Sequence, residues 1–385
     1  MIEKISKIFF EKFAAKPVVF SSPGRINFLG EHTDYNEGFV LPAAIDKSIY
    51  VAISIRTDEQ VCLFACDFNE THTTGITGIK PVATQWPNYI LGVVDQLQKN
   101  GHTIPGFNLA IDGDIPIGAG LSSSAAVECA VVFALNEILA LGLSKMQLVK
   151  FAQKAEHVFA GVNCGIMDQF ASMFGKKDSA IKLDCRSLEY EYVPIRPGAY
   201  KIVLFNTNVK HNLAASAYNE RRQQCEAGVA LVKKEHPGVN SLRDVDMEML
   251  NKCVKAVDPL VYRRCRYVVQ ENERLLQACE DLEQGNMKAL GEKMYQTHEG
   301  LRYDYEVSCR ELDFLVDFVK ANPGVAGARM LGGGFGGCTI NLVQHDVVDE
   351  LVTAISIAYK QATNLPLTVY QVSVENGTGI RGEVV

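Results

Sequence analysis

No stretch of this 385-residue chain supplies the ~20 uninterrupted apolar residues that a membrane-spanning helix requires, so no membrane role is expected. Long runs of Lys or Arg are also missing. With 38 basic against 45 acidic residues the formal net charge is −7, which argues against a general binder of phosphate backbones. No nucleic-acid partner is expected. The one locally basic cluster, YRRCRYVVQENER at 262–274, is followed by acids and reads most simply as a solvated helix face. The eleven cysteines run from Cys62 to Cys338 without a CxxC pair, a pattern of reduced thiols rather than of a disulfide framework. The start, MIEKISKIFFEKF, is no secretory leader: Ile5, Ile8, Phe9 and Phe13 recur at helical spacing with lysines among them. There is no internal repeat and no low-complexity segment. The expectation is a soluble cytoplasmic protein.

What is present is the balance of a globular protein, 47% hydrophobic and 22% charged, at a length that suggests about two domains. Strand-like patterns mark 48–57, 107–114, 200–206 and 367–374. Helical periodicity marks 122–141, where Val127, Val131, Ala134 and Ile138 share a face. It also marks 143–161, which opens with Ser144 and Gln147 at capping-box spacing. Residues 215–235, 258–283, 286–300 and 308–322 are predominantly helical. Strands and helices in mixed order predict an α+β fold rather than a doubly wound sheet. Pro194 and Pro197 place the boundary, giving an N-terminal mixed-sheet domain over 1–196 and a C-terminal α+β domain over 197–385.

Three segments carry chemistry. PGRINFLGEHTDYNEG (23–38) interleaves Arg25, Glu31, His32 and Asp34 with apolar Ile26, Phe28 and Leu29. A surface ion-pair loop does not explain those apolar flanks, and a metal site lacks the HExxH type of spacing. A polar ligand such as a sugar, each hydroxyl both donor and acceptor, calls for carboxylates and an imidazole close together. DIPIGAGLSSSAA (114–126) joins a strand to a helix through spaced glycines and three serines. It lacks the lysine of a P-loop and the GxGxxG of a dinucleotide site. A plain helix cap is its bland reading; a phosphate cradle at a helix N-terminus is its functional one. LGGGFGGCT (331–339) holds five glycines around Phe335, more than a hairpin turn requires, and so lies against a ligand or another backbone.

Two acids stand out by position. Glu156 follows Leu148 and Ala152 at four-residue intervals, on or beside a buried stripe, where a carboxylate is costly unless paired or metal-bound. His157 or an Arg at the stripe's edge is the ordinary partner. Asp168 falls in the first turn of the helical pattern Ile166, Phe170, Met173, Phe174, where many helices carry an acid only to complement the dipole.

In order and spacing, PGRINFLGEHTDYNEGFVLPAAI (23–45), PIGAGLSSSAA (116–126) and LGGGFGGC (331–338) resemble the three motifs of the galactokinase branch of the GHMP small-molecule kinases. AEHVFAGVNCGIMDQF (155–170) and SAYNERRQQCE (216–226) are similar too, whereas 230–325 contributes little. Ser122 stands where many members of the wider superfamily have glycine. The resemblance implies a two-domain fold with the active site in the cleft. It implies transfer of the ATP γ-phosphoryl group, with Mg²⁺, to the anomeric hydroxyl of α-D-galactose. By matching position, Glu31, His32, Asp34, Gly165, Asp168 and Tyr218 would hold the sugar, and Ser124 and Glu156 the metal. The nucleotide would lie along Gly118, Ala119, Gly120, Leu121, Ser122, Ser123 and Ser124 and near Gly333, Gly334 and Gly336. Arg25 and Asp168 would be the catalytic pair, Arg25 replacing the missing P-loop lysine. The implied partners are galactose and MgATP, for a monomer or weak dimer. Two alternatives stand beside this. An N-acetylgalactosamine kinase would carry a different residue after Asp34-Tyr35, where Asn36 favours plain galactose. A non-catalytic galactose/ATP sensor acting on a transcriptional partner would have lost part of the serine-alanine loop, which is complete here.

Overall fold

The computed structural model describes residues 1–209 and 214–382. Its first half contributes β1 (Val18–Asn27), β2 (Phe39–Val40), β3 (Pro42–Ile55), β4 (Gln60–Ala65), β5 (Glu70–Gly75), β6 (Phe107–Gly113), β7 (Ser179–Asp184) and β8 (Tyr190–Pro194). The second half contributes β9 (Tyr200–Asn206), β10 (Val325–Met330), β11 (Cys338–Gln344), β12 (Thr368–Val372) and β13 (Gly379–Gly382). Among the described residues these form a mixed sheet of order β13-β1-β3-β6-β4-β5, an antiparallel sheet β10-β11-β9-β12 and a small sheet β2-β7-β8.

β1 is buried along nearly its whole length because both faces of its sheet are covered. Ile5 and Phe9 of the helix Ile2–Phe13 pack on Val19, Ala52 and Ala110 on one side. The helix Ser123–Ile138 lies on β1 and β3 on the other. That helix is buried nearly all round, since the helices Gln85–Lys99, Lys145–Ala155 and Met167–Phe174 flank it. β9 opens the second sheet, and the last strand, β13, returns to pair with β1. Of the predicted spans 1–196 and 197–385, the second therefore contributes strands to two sheets; its residues 210–213 and 383–385 lie outside the described residues.

Local chemistry sets several of these elements. The capping box at Ser144 and Gln147 is present, and Asp258 caps the helix Pro259–Glu283 ahead of its first-turn proline. The five-glycine segment is the turn between β10 and β11. Three expectations need correction. The periodicity predicts one helix over 143–161, but its α-helix ends at Ala155 and Glu156–Ala160 widens into a π-turn. The helix Gln85–Lys99 is not foreseen at all. The basic cluster at 262–274 is no solvated face: Arg264 is only 2% exposed. Its guanidinium is satisfied by Glu306, by Asp304 O and by Gln224, a tertiary partnership that brings the charge inside.

Candidate active site

Pairing of β1 with β3 breaks register between Pro23 and Arg25, and a Cβ on Gly24 would lie 2.7 Å from Leu121 O. This close approach lets Arg25 N–H donate to Leu121 O at 3.1 Å, joining the first segment to the serine loop. The Arg25 guanidinium, 4% exposed, then engages Asp168 with two parallel bonds, Nε to Oδ1 at 2.9 Å and Nη2 to Oδ2 at 3.1 Å. Its Nη1 donates to Gly120 O at 2.6 Å. Asp168 does sit in the first turn of its helix, yet its side chain serves Arg25, so the dipole reading is insufficient.

Beyond β1 the chain turns through Glu31–Gly38, held by the second half of the protein. Glu271 accepts from Gly30 N–H at 2.8 Å, Asn272 from Phe39 N–H at 2.9 Å, and Tyr267 donates to Glu31 O at 3.0 Å. Glu31 itself accepts from the buried Arg329 at 3.0 Å and from Gly332 N–H at 2.8 Å. Burial pushes the Glu31 carboxyl up, but Arg329 and Arg25 outweigh it and hold the group below its ordinary range. His32 contacts Gly333 O through Nε2 at 3.2 Å and Tyr35 Oη through Nδ1 at 2.8 Å. A carbonyl only accepts, so Nε2 carries the proton and the neutral ring accepts from Tyr35 at Nδ1. Burial pushes the imidazole down to about 4, against the pull of Glu31, which agrees with a neutral ring. Tyr35 in turn meets Tyr305 at 2.7 Å.

Arg25, Glu31, His32, Asp34, Gly165, Asp168 and Tyr218, the residues expected for the sugar and the catalytic pair, line one cavity of about 140 Å³. The Tyr218 ring centroid stands 5.2 Å from that of His32. Arg221, one turn on, ties the helix that carries Tyr218 to the neighbouring backbone by donating to Tyr305 O at 2.7 Å and Glu306 O at 2.9 Å.

Glu156 reaches the same cavity from its π-turn. Ser124 Oγ donates to its Oε1 at 3.0 Å, while Gln169 and Cys164 donate to Oε2 at 2.6 and 3.4 Å. None of these is a cation, and His157 instead bonds Cys164 O at 2.9 Å, so the ordinary ion-pair explanation for Glu156 does not hold. Burial and then Asp168 raise the Glu156 carboxyl above its ordinary range. A buried acid beside a hydroxyl is the hard-oxygen donor set that suits a divalent cation.

The remaining expected residues form the seam between cavities. Gly118 and Gly120 adopt left-handed φ of +74° and +75°. Gly332 and Gly337 pack against the backbone of Ala119 and Gly120, Gly333 faces His32 and Tyr218, Gly334 abuts Val307 O, and Gly336 completes the turn. Ser123 and Ser124 open on their other side into a wider groove of about 510 Å³, bordered by Phe68, Trp86, Tyr89 and Ile117. These apolar residues escaped the sequence reading. The chain's single tryptophan, beside Pro87 in a polar stretch, was the available signal. Arg329, in GARM ahead of the glycines, was another.

Asp34 lends itself to a direct test. Burial and then repulsion by Asp168 push its carboxyl up to about 7. The folded state thus holds a proton that the unfolded chain loses near pH 4, so stability is full below about pH 4 and declines towards about pH 7. Asp34→Asn removes that decline. Thermal melts without ligand are expected to show a gain in Tm at pH 8 that shrinks to about a third of its size at pH 5. Equal gains at the two pH values would contradict this origin.

Comparison with known proteins identifies the family. Residues 88–176 match the GHMP kinases N terminal domain and 278–361 the GHMP kinases C terminal, which makes the chain a GHMP kinase. Residues 7–55 match the galactokinase galactose-binding signature. A galactokinase of Thermosipho africanus (strain TCF52B) is 41% identical over 359 residues, 92% of this chain and 97% of that one. One from Clostridium acetobutylicum is 41% identical over 382 residues, covering 97% of both. The chain therefore belongs to the galactokinase family. The crystal structure of Lactococcus lactis galactokinase complexed with galactose superposes with a TM-score of 0.95 at 35% identity, covering 99% of this chain and 100% of that one. The Methanococcus jannaschii mevalonate kinase, at 17% identity and a TM-score of 0.66, shares the fold. Among the described residues no helix is long and apolar enough to cross a membrane.

Proposed function

We propose that this protein phosphorylates the anomeric hydroxyl of α-D-galactose with MgATP, giving galactose 1-phosphate. The observation that carries the reading is the two-bond Arg25–Asp168 pair, set where the sugar-type cavity meets the serine loop. Glu31, His32, Asp34 and Tyr218 offer fixed acceptors and donors to the sugar hydroxyls. Asp168 accepts the hydrogen of the reacting hydroxyl and orients its oxygen. Full abstraction before transfer is not required, because a loose phosphoryl-transfer transition state draws mainly on positioning and charge stabilisation. Arg25 has five N–H donors, of which three are engaged, leaving two for the transferring phosphate. Its charge does the work of the absent P-loop lysine.

The backbone of residues 118–124 suits the phosphates, at the start of a 16-residue helix. The groove beyond Ser123, with Trp86, Tyr89 and Phe68, suits a flat nucleobase. Ser124 and Glu156 would hold Mg²⁺; bound there, the ion neutralises charge on the phosphate oxygens.

The test is ADP release from MgATP with galactose, N-acetylgalactosamine, glucose or mevalonate as acceptor. Turnover is expected with galactose. Galactose binding without ADP release would instead identify a sensor, and preference for N-acetylgalactosamine the sister kinase.

A further inference from the structure

A serine at the start of a helix ordinarily takes an extended backbone and accepts the N–H of the second or third helical residue. Ser122, at the head of the helix Ser123–Ile138, does neither. Its φ and ψ are +59° and +48°, in the left-handed region, and its side chain makes no cap bond. Gly118 and Gly120, four and two residues earlier, take left-handed φ as glycines, so the same loop uses glycine where nothing else is required. At 122 the chain keeps a side chain despite the backbone cost. Its hydroxyl donates to Asp168 Oδ2 at 2.5 Å, the length of a charge-assisted bond.

We infer that Ser122 is a positioning residue that fixes the carboxylate of Asp168 for phosphoryl transfer. A carboxylate offers about four acceptor positions. Arg25 Nη2 and Ser122 Oγ occupy two on Oδ2, while Arg25 Nε occupies one on Oδ1. The oxygen with capacity left is Oδ1, so Ser122 determines which oxygen meets the sugar hydroxyl. Arg25 alone would leave either oxygen open, because its two bonds are symmetric. The inference rests on the proposed role of Asp168.

Ser122→Gly removes the hydroxyl and relieves the backbone; Ser122→Thr keeps the hydroxyl and worsens the strain, since β-branched residues tolerate positive φ poorly. Rapid-quench single-turnover rates, KM values and thermal melts are measured for both, with Asp168→Asn as control. Ser122→Gly is expected to match or exceed the parent Tm, keep KM for galactose and ATP, and transfer phosphate about 10- to 100-fold more slowly. Ser122→Thr is expected to lose Tm and keep the transfer rate. A parent-like rate in Ser122→Gly while Asp168→Asn is slow overturns the role of Ser122 alone. A loss confined to KM for ATP also overturns it, placing the hydroxyl on the nucleotide. A parent-like rate in Asp168→Asn overturns the site reading beneath it.

Discussion

Asp168→Asn is expected to slow phosphoryl transfer by about three orders of magnitude, the scale of losing a positioned acid–base group. The change alters no volume, so its effect lies in hydrogen-bond polarity. Three donors converge on the carboxylate: Arg25 Nε on Oδ1, and Arg25 Nη2 and Ser122 Oγ on Oδ2. An asparagine amide placed at Oδ2 confronts two donors, whereas at Oδ1 it confronts one. It therefore settles at Oδ1, the oxygen with capacity for the sugar hydroxyl, and presents N–H where an acceptor is needed. Arg25 at the same time loses its nearest counter-charge while remaining 4% exposed. Unfolding free energy, and with it Tm, should fall, though the free energy by less than the ~3–5 kcal/mol typical of breaking a fully buried pair, because the Asp168 side chain keeps 28% of its exposure. Single-turnover rates and ligand-free melts measure the two effects separately. Normal turnover in a folded Asp168→Asn protein would remove this residue from the mechanism.

The residues of this pair were visible in the sequence, and the family resemblance paired them, but their contact could not be read from local pattern. Arg25 and Asp168 lie 143 positions apart, and no local pattern predicts their contact. Elements whose causes are local were legible: the strand Tyr200–Asn206 from an apolar run, and the start of the helix Lys145–Ala155 from its capping box. Where tertiary partners decide, local rules failed. Arg264 belongs to a helix that looks solvated until Asp304 and Glu306 fold against it. Ser122 has the residue type of a helix cap and a backbone that prevents capping. The π-turn at Glu156 departs from helical period just where Ser124, Cys164 and Gln169 claim the carboxylate. Such widened turns recur at functional sites. For Ser122 and Glu156 the departure from local expectation falls in the site, where consistency across levels gives way to chemistry.

Gly165→Ala should raise KM for galactose by about 100-fold while leaving nucleotide binding intact. Gly165 needs no unusual backbone freedom; the constraint on it is space. An added Cβ would stand 1.8 Å from Asp34 Oδ2 and 2.1 Å from its Cγ, against the roughly 3 Å that real Cβ contacts require. Either Asp34 swings away or the 164–166 segment retreats, and Asp34 sits across the same cavity as Glu31 and His32. An ångström of displacement is enough to misplace a sugar hydroxyl held by fixed groups. Asp34→Ala removes the two closest atoms and leaves only Asp34 Cβ, at 2.7 Å, a few tenths of an ångström inside contact, so the two changes should be strongly non-additive. Adding Gly165→Ala to Asp34→Ala is then expected to change galactose KM far less than Gly165→Ala does alone. Additive losses would show that Gly165 acts elsewhere, on the turn leading to Asp168. Measured at saturating MgATP, the cycle isolates the sugar side of the cavity, and a parallel titration with ATP alone checks that the serine loop is undisturbed.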